Sequence, residues 1–260
     1  MDERIKYDVS DGIATITIDR PEKRNALTYS MYGAIREHTL EADADPQIGA
    51  IILTGVPGQY CAGTDLSELR EVGLEEKPED RLSHRDGSHW FFWNATTPVI
   101  AAIDGPAAGL GVELSTQADF RIASENARFS WIFVQRGLIP DAGMGTWLLP
   151  QIVGLQQAKR LVLSGDFIDA EEARRIGFLL DVVPAEGLLD AARALAKSVS
   201  SGSPFAIARA KSLLNWSSSR TRDEHLVEHV TALTECQQSE DHREGVAAFL
   251  AKRPAVFTGR

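Results

Sequence analysis

The chain has 260 residues, of which 43% are hydrophobic and 25% charged, with a net charge of −10. These values are typical of a globular protein with a sizeable buried core. The 37 acidic residues outnumber the 27 basic ones, so the basic face that nucleic acid requires is not expected. No apolar stretch is long enough to span a membrane, and Met1-Asp2-Glu3-Arg4 lacks the apolar core of a signal peptide. We therefore expect a cytoplasmic protein that has neither nucleic acid nor a membrane as its partner.

The predicted elements alternate between strands and helices over most of the chain. Ala14, Ile16 and Ile18 alternate with threonines, which predicts a half-buried strand that ends before Pro21. A helical pattern covers residues 27–41, and apolar, β-branched runs predict buried strands at residues 48–54, 99–103 and 120–123. From about residue 184 the pattern is wholly helical. Three apolar stripes lie there: Leu188, Ala192, Leu195 and Val199; Ile207, Ala210 and Leu214; Leu226, Val230 and Leu233.

Two Gly-containing segments, residues 61–66 and 104–114, each follow one of these buried strands. Each places small residues where a strand gives way to a helix. The first amides of a helix have no intrahelical partner and lie at the positive end of the helix dipole. Two such turns facing each other would hold a carbonyl oxygen as it becomes negative, so the segments predict an oxyanion hole. The alternative is that Gly109 and Gly111 only allow close packing of the helix.

Glu113 follows Leu110 by three positions, so on a helix its carboxylate lies on the same face as that residue. An acid or base would then stand beside the polarised carbonyl. The alternative is a first-turn acid that only stabilises the helix dipole. Position alone does not separate the two interpretations.

Several segments resemble the enoyl-CoA hydratase/isomerase family, also called the crotonase family, and occur in its order. Besides the two Gly-containing turns, these are residues 20–27 (RPEKRNAL), residues 137–143 (GLIPDAG), and the tail at residues 244–245 and 249–254. The resemblance implies an α/β fold, with a spiral of ββα units over residues 1–195. It also implies a C-terminal helical region, residues 196–260, that packs on a neighbouring subunit in homotrimers or dimers of trimers. No cofactor is expected, because coenzyme A is part of the acyl-CoA substrate.

The same resemblance implies roles for particular residues. The amides of Thr64 and Leu110 would hold the thioester oxygen, although Leu110 stands where most relatives have glycine. Glu113 would activate water. Phe133 stands where the hydratases carry a second glutamate, and a phenyl ring transfers no proton. Asp141 matches an aspartate of members that isomerise double bonds or act on ring-containing acyl groups, and a turn or helix cap is its alternative.

The remaining candidates surround the first loop and the two turns. By resemblance, Lys23 and Arg24 would meet the CoA phosphates and Ala26 the adenine, whereas an exposed turn explains the same charges. Asp65 is expected to cap the helix that contains Leu66. The full set of candidate substrate-binding residues is Lys23, Arg24, Ala26, Ala62, Gly63, Asp65, Leu66, Gly109 and Phe133.

Three further features have competing interpretations. Cys61 adjoins the first turn, but no histidine is near it in sequence, which favours a small buried hydrophobe over a nucleophile. His225 and His229 fit an H-x-x-E-H zinc motif, yet no further ligand cluster accompanies them. The aromatic run at residues 90–93, with Trp131 and Phe133, fits a core. If some of these rings line the acyl pocket, they favour an aromatic or cyclic acyl group.

The sequence thus predicts an acyl-CoA enzyme, with hydration of a 2-enoyl-CoA through Glu113 as the first choice. Isomerisation of a double bond or a ring in an acyl-CoA, through Asp141, is the alternative. A non-catalytic acyl-CoA binding protein is the third hypothesis, and Phe133 and Leu110 motivate it.

Overall fold

The computed structural model describes residues 2–69, 89–140 and 144–260. The strands in this part of the chain are β1 (Ile5–Ser10), β2 (Ile13–Ile18), β3 (Ala50–Gly55), β4 (Val99–Ile103), β5 (Pro106–Ala108), β6 (Phe120–Ser124), β7 (Arg128–Ser130), β8 (Ile168–Asp169) and β9 (Asp181–Val183). The α-helices are α1 (Tyr29–Ala44), α2 (Leu66–Leu69), α3 (Phe91–Asn94), α4 (Leu110–Gln117), α5 (Met144–Trp147), α6 (Leu149–Val153), α7 (Leu155–Ser164), α8 (Ala170–Arg175), α9 (Leu188–Val199), α10 (Pro204–Asn215), α11 (Arg222–Gln238) and α12 (Glu240–Ala251). Short 3-10 helices occur at Pro21–Lys23, Ile132–Arg136, Ala185–Gly187 and Ser217–Ser219.

The strands form two sheets, and the chain alternates between them. The larger sheet has the order β1-β2-β3-β4-β6-β9, and all of its pairs except β1 with β2 are parallel. The smaller sheet has the order β5-β7-β8. The chain passes from β4 to β5 and then α4, and from β6 to β7 and then the 3-10 helix Ile132–Arg136. After β3 it makes a parallel bridge between Cys61 and Ala107 before α2. This alternation is the expected spiral of ββα units.

The four central strands of the larger sheet, β2, β3, β4 and β6, are buried on both faces, whereas the edge strands β1 and β9 are largely exposed or half-buried. Along β3, Ile51 and Leu53 belong to the main core, whereas Ile52 lies in a smaller core with Ala192 and Ala196 of α9. A parallel strand covered on both sides reads as a continuous apolar run. The sequence of β3 shows such a run. β2 was expected to be half-buried because threonines alternate in it, but five of its six residues are buried, so that expectation was wrong.

Among the helices, two differences between the predicted and the observed elements have a visible capping residue. The first helix begins at Tyr29 and ends at Ala44, because the side chain of Thr28 accepts a hydrogen bond from the amide of Met31 and so caps it. A fourth C-terminal helix, α12, was not predicted. Its N-terminus is capped by Ser239, whose side chain accepts from the amide of His242.

The C-terminal helices are more exposed than the rest of the described chain. The predicted division between residues 195 and 196 falls inside α9, whose Ala196 is buried against the larger sheet. By contrast, α11 has no buried residue along its length. The division into two domains stays a prediction. None of the helices in the described ranges combines the length and the apolar character needed to cross a membrane.

A buried ion pair fastens α10 to the core. Lys211 Nζ is 2.7 Å from Asp119 Oδ2, and the two side chains are 8% and 13% exposed. The same ammonium donates to the carbonyls of Phe92 and Thr97, at 3.2 and 3.0 Å. Asp119 Oδ2 also accepts from the amide of Val99 at 2.7 Å. Burial raises the pKa of Asp119, and the charge of Lys211 opposes that rise.

We expect Lys211→Met to lower the free energy of unfolding by about 3–5 kcal/mol, because it removes the cation that pairs directly with the buried Asp119 carboxylate. Urea unfolding at fixed protein concentration measures the change. Adding Asp119→Asn should recover much of the loss, since the amide oxygen still accepts from Val99. A free energy of unfolding in Lys211→Met equal to that of the wild type would contradict this role of the pair.

Candidate active site

The two Gly-containing turns lie side by side because a short parallel pairing joins them. The amide of Cys61 donates to the carbonyl of Pro106, and the amide of Ala108 donates to the carbonyl of Cys61, both at 3.0 Å. Beyond this pairing, a Cβ built on Gly63 would lie 3.5 Å from the backbone nitrogen of Leu110. The structure therefore brings the first turn against the N-terminus of α4, as the sequence predicts.

The amides of Thr64 and Leu110 are available as donors. Leu110 is the first residue of α4, so its N–H has no partner within the helix. Among residues 2–69, 89–140 and 144–260, neither amide donates a hydrogen bond. Gly109 precedes the helix with φ 52° and ψ −124°, a conformation that side chains disfavour. This arrangement can polarise a carbonyl oxygen, although the role of the two amides stays a prediction.

The alternative interpretation, that glycine is needed for close packing of the helix, is also supported at Gly111. A Cβ at this position would collide with the carbonyl oxygen and the side chain of Cys61. The same turn thus needs glycine for packing and presents amides at the start of a helix. The two interpretations are compatible.

Glu113 is fully buried on α4. Its Oε2 accepts a hydrogen bond of 3.0 Å from the amide of Met144, the first residue of α5. A Cβ built on Gly145 would lie 2.5 Å from Glu113 Oε1 and 3.0 Å from Trp131 Cδ1. The carboxylate and the indole edge therefore border the same small space beside Gly145. A buried carboxylate that is held by a helix amide is suited to proton transfer near a reacting carbon.

The structure has no acid at position 133. Phe133 is 5% exposed and lies in the 3-10 helix Ile132–Arg136, where it belongs to the main core. Asp141 lies outside the described residues, so its catalytic and capping roles both stay predictions.

The first loop lies against the first turn. Lys23 and Arg24 are exposed, and the carbonyl of Arg24 accepts from the amide of Ala62 at 3.1 Å. The amide of Leu27 donates to the carbonyl of Gly63 at 2.8 Å. The backbone of Arg24 therefore lies beside the turn at residues 61–66. Contact of Lys23, Arg24 and Ala26 with coenzyme A stays a prediction.

Two residues that fix this loop have no role in the sequence analysis. Asn25 is fully buried, and its Nδ2 donates to the carbonyls of Ile18, Gln59 and Tyr60. Arg20 donates to the carbonyl of Ala26 at 2.9 Å. Both belong to the motif at residues 20–27, but their acceptors are backbone groups that no sequence pattern identifies.

Asp65 caps α2, as expected. Its Oδ1 accepts from the amide of Ser67 at 3.0 Å and from its hydroxyl at 2.7 Å, and its Oδ2 is 2.8 Å from Arg20 NH1. These bonds, led by the one from the Ser67 hydroxyl, lower the pKa of Asp65 to about 2. Leu66, the next residue, is 59% exposed.

The nucleophile and zinc interpretations gain no support. Burial raises the pKa of the Cys61 thiol to about 12, so it is protonated at neutral pH. The rings of His225 and His229 have centroids 6.5 Å apart. Within the described ranges, no group of three or more His, Cys, Asp or Glu side chains could hold a metal ion.

The aromatic run is largely core. Phe91 and Phe92 belong to the main core, and Trp93 forms a smaller one with Met144 and Leu148. Further tryptophans border that smaller core: Trp90, Trp147 and Trp216. Any role of these rings in binding an acyl group stays a prediction.

The fold and this site define a ββα-spiral protein whose main-chain amides and buried carboxylate are arranged to act on a carbonyl compound. The chain belongs to the enoyl-CoA hydratase/isomerase family, whose sequence model matches residues 8–260.

Its relatives cover the whole chain. It is 38% identical to "Probable enoyl-CoA hydratase" of Rhodobacter capsulatus, over 98% of both chains. It is 35% identical to 1,2-epoxyphenylacetyl-CoA isomerase of Escherichia coli, over 100% of both. The crystal structure of enoyl-CoA hydratase from Bacillus anthracis is similar with a TM-score of 0.90 and 30% identity, over 99% of this chain and 100% of that one.

We expect Gly145→Ala to reduce turnover of an enoyl-CoA by about 10- to 100-fold, because its methyl group would displace the Glu113 carboxylate. Steady-state kinetics with crotonyl-CoA measure the effect. Gly33→Ala is the matched control, since a Cβ there meets nothing within 4 Å. It should keep full activity and stabilise α1 by about 0.5–1 kcal/mol. Equal activity of the two variants would contradict the predicted displacement.

Proposed function

We propose that this protein hydrates a 2-enoyl-CoA. The observation that carries the proposal is the buried Glu113 carboxylate on α4, which accepts a hydrogen bond from the amide of Met144 on α5. The first amide of α4, that of Leu110, donates to no group among the described residues. Membership of the family and the name of the Rhodobacter capsulatus relative support the same reaction.

The proposed mechanism uses the two turns as one unit. The amides of Thr64 and Leu110 donate to the thioester oxygen, which becomes negative as water adds to the β-carbon. Removal of one such donor typically lowers the rate about 10²- to 10³-fold. Glu113 takes a proton from the attacking water and returns it to the α-carbon. One carboxylate in this scheme performs both transfers, because Phe133 can perform neither.

The second candidate function is isomerisation of a double bond or of a ring-containing acyl-CoA. Its support is the phenyl ring at position 133 together with the 35% identical 1,2-epoxyphenylacetyl-CoA isomerase. In this case Asp141 would move a proton without net addition of water.

The substrate in either case is an acyl-CoA thioester, whose CoA part would contact Lys23, Arg24 and Ala26. The need for no separate cofactor and the cytoplasmic location stay predictions.

We expect Glu113→Gln to lower kcat with crotonyl-CoA by about 10²- to 10⁴-fold. Glutamine still accepts the hydrogen bond from Met144 but cannot take a proton. Loss of enone absorbance and uptake of isotopically labelled water measure hydration, and calorimetry with butyryl-CoA measures retained binding. Glu125→Gln, at an exposed position, is the control.

The outcomes of this assay separate the three hypotheses. Conversion of a 3-enoyl-CoA without label uptake, lost in Asp141→Asn, would favour isomerisation. Tight binding of CoA esters with no conversion by the wild type would favour a non-catalytic binding protein. Undiminished hydration by Glu113→Gln would contradict the proposed mechanism.

We also propose that the chain assembles as a homotrimer or a dimer of trimers through its C-terminal helices. Large apolar side chains are exposed there: Leu226, Val227 and Val230 on α11, and Phe249 (82%) and Leu250 (75%) on α12. A groove of about 390 Å³ lies among α10, α11 and α12. Patches of this kind commonly mark protein interfaces.

Sedimentation equilibrium should give a mass three or six times that of the 28.4 kDa chain. The double variant Phe249→Glu, Leu250→Glu should have the mass of one chain, because assembly would bury the added charges at the interface. Val9→Glu, an exposed position on β1, should leave the mass unchanged. A wild-type mass of one chain would contradict the proposed assembly.

A further inference from the structure

The indole N–H of Trp131 is a donor without an acceptor among the described residues. Its side chain is fully buried, and among residues 2–69, 89–140 and 144–260 nothing accepts a hydrogen bond from Nε1. Buried indole N–H groups normally find a partner, and one left without it carries a free-energy penalty. The donor therefore calls for an acceptor that the described part of the chain does not supply.

The indole edge and the candidate catalytic carboxylate both border the position where a Cβ of Gly145 would stand. The point where a Cβ of Gly145 would stand is 3.0 Å from Trp131 Cδ1, the ring carbon bonded to Nε1, and 2.5 Å from Glu113 Oε1. Glu113 Oε2 is held by the amide of Met144. The oxygen on the Trp131 side is thus the one that this backbone bond does not use.

The ring is also held in place. It packs edge-on against Phe178, with centroids 5.1 Å apart and planes at 79°. Trp131 directly precedes the 3-10 helix that carries Phe133. The N–H donor is therefore two residues from position 133, where the hydratases carry their second glutamate.

We propose that the indole N–H of Trp131 donates a hydrogen bond to the oxygen that is added at the β-carbon of the acyl group. This oxygen is that of water before the reaction and that of the 3-hydroxyl group after it. The inference rests on the proposed hydration, and it makes Trp131 a substrate-binding residue specific for an oxygen at this carbon.

In this arrangement the water lies between one donor and one acceptor. It accepts from Trp131 and donates to Glu113, so a lone pair is directed at the β-carbon. As the C–O bond forms, the π electrons of the double bond move toward the thioester oxygen. Glu113 takes the water proton and then delivers it to the α-carbon, so atoms and charge balance without a further reactant. Trp131 supplies orientation and transfers no proton.

The sharpest test compares the binding of two saturated esters, because it needs no turnover. The wild type should bind 3-hydroxybutyryl-CoA more tightly than butyryl-CoA in calorimetry. In Trp131→Phe this preference should fall about 3- to 10-fold, the worth of one neutral hydrogen bond. Affinity for butyryl-CoA should change less than two-fold, since that ester presents no oxygen at the β-carbon.

Two further variants separate the lost N–H from a change of shape. Replacement of Trp131 by 3-benzothienylalanine exchanges the N–H for sulfur within a ring of nearly the same shape, and it should lose the preference as well. Trp93→Phe is the control, because Trp93 is also a buried tryptophan whose Nε1 has no acceptor in the described chain. Trp93 packs against Met144, whose amide holds Glu113, so a shift of the carboxylate would change the affinity for both esters alike, and the comparison uses only the ratio of the two affinities. Trp93→Phe should keep the wild-type preference.

Kinetics give a second readout. In Trp131→Phe, kcat with crotonyl-CoA should fall about ten-fold or more while KM changes little, because the contact is made to water and not to the thioester.

An unchanged 3-hydroxyl preference in Trp131→Phe, or equal affinity of the wild type for both esters, would overturn the inference. Absence of hydration by the wild type would instead overturn the proposed function, and the binding comparison would still report on Trp131.

Discussion

The candidate site depends on one short parallel pairing between Cys61 and β5. Two backbone hydrogen bonds, to Pro106 and from Ala108, set the register of the two turns. A slip of one residue would move Gly63 away from the start of α4. The same contact explains the glycine at position 111, whose Cβ would collide with Cys61. A single register therefore fixes both the packing of α4 and the direction in which its first amides point.

Local signals in the sequence predicted the four central strands, β2, β3, β4 and β6, and the two Gly-containing turns, since each rests on residues close together in the chain. The strands β1, β8 and β9 were not predicted. The alternation of Ala14, Ile16 and Ile18 predicted the position of β2, and the glycines of residues 104–114 predicted where α4 begins. The three-residue strands β5 and β7 are too short to show a period, so only their pairing reveals them. The exposed helix α12 was missed because its apolar residues, such as Phe249 and Leu250, do not form a buried stripe.

The sequence predicted where Glu113 lies but not which group holds it. Its spacing to Leu110 placed it in the first turns of α4, and the family resemblance implied its catalytic role, which stays a prediction. Its partner, the amide of Met144, is distant in the chain and carries no side-chain signal. Asn25 likewise acts through carbonyls of two other segments. Backbone partners of this kind depend on the tertiary fold, so a sequence pattern does not reveal them.

The C-terminal helices are connected to the carboxylate by a chain of contacts. On α10, Lys211 donates to the carbonyl of Phe92, and Asn215 donates to that of Trp93 at 2.9 Å. Both acceptors lie on α3, and Trp93 packs against Met144, whose amide holds Glu113. Because each contact in this series is buried or partly buried, a displacement of α10 would be transmitted to the start of α5. Packing of the C-terminal region on a neighbouring subunit would thus stabilise the position of Glu113 as well as the assembly.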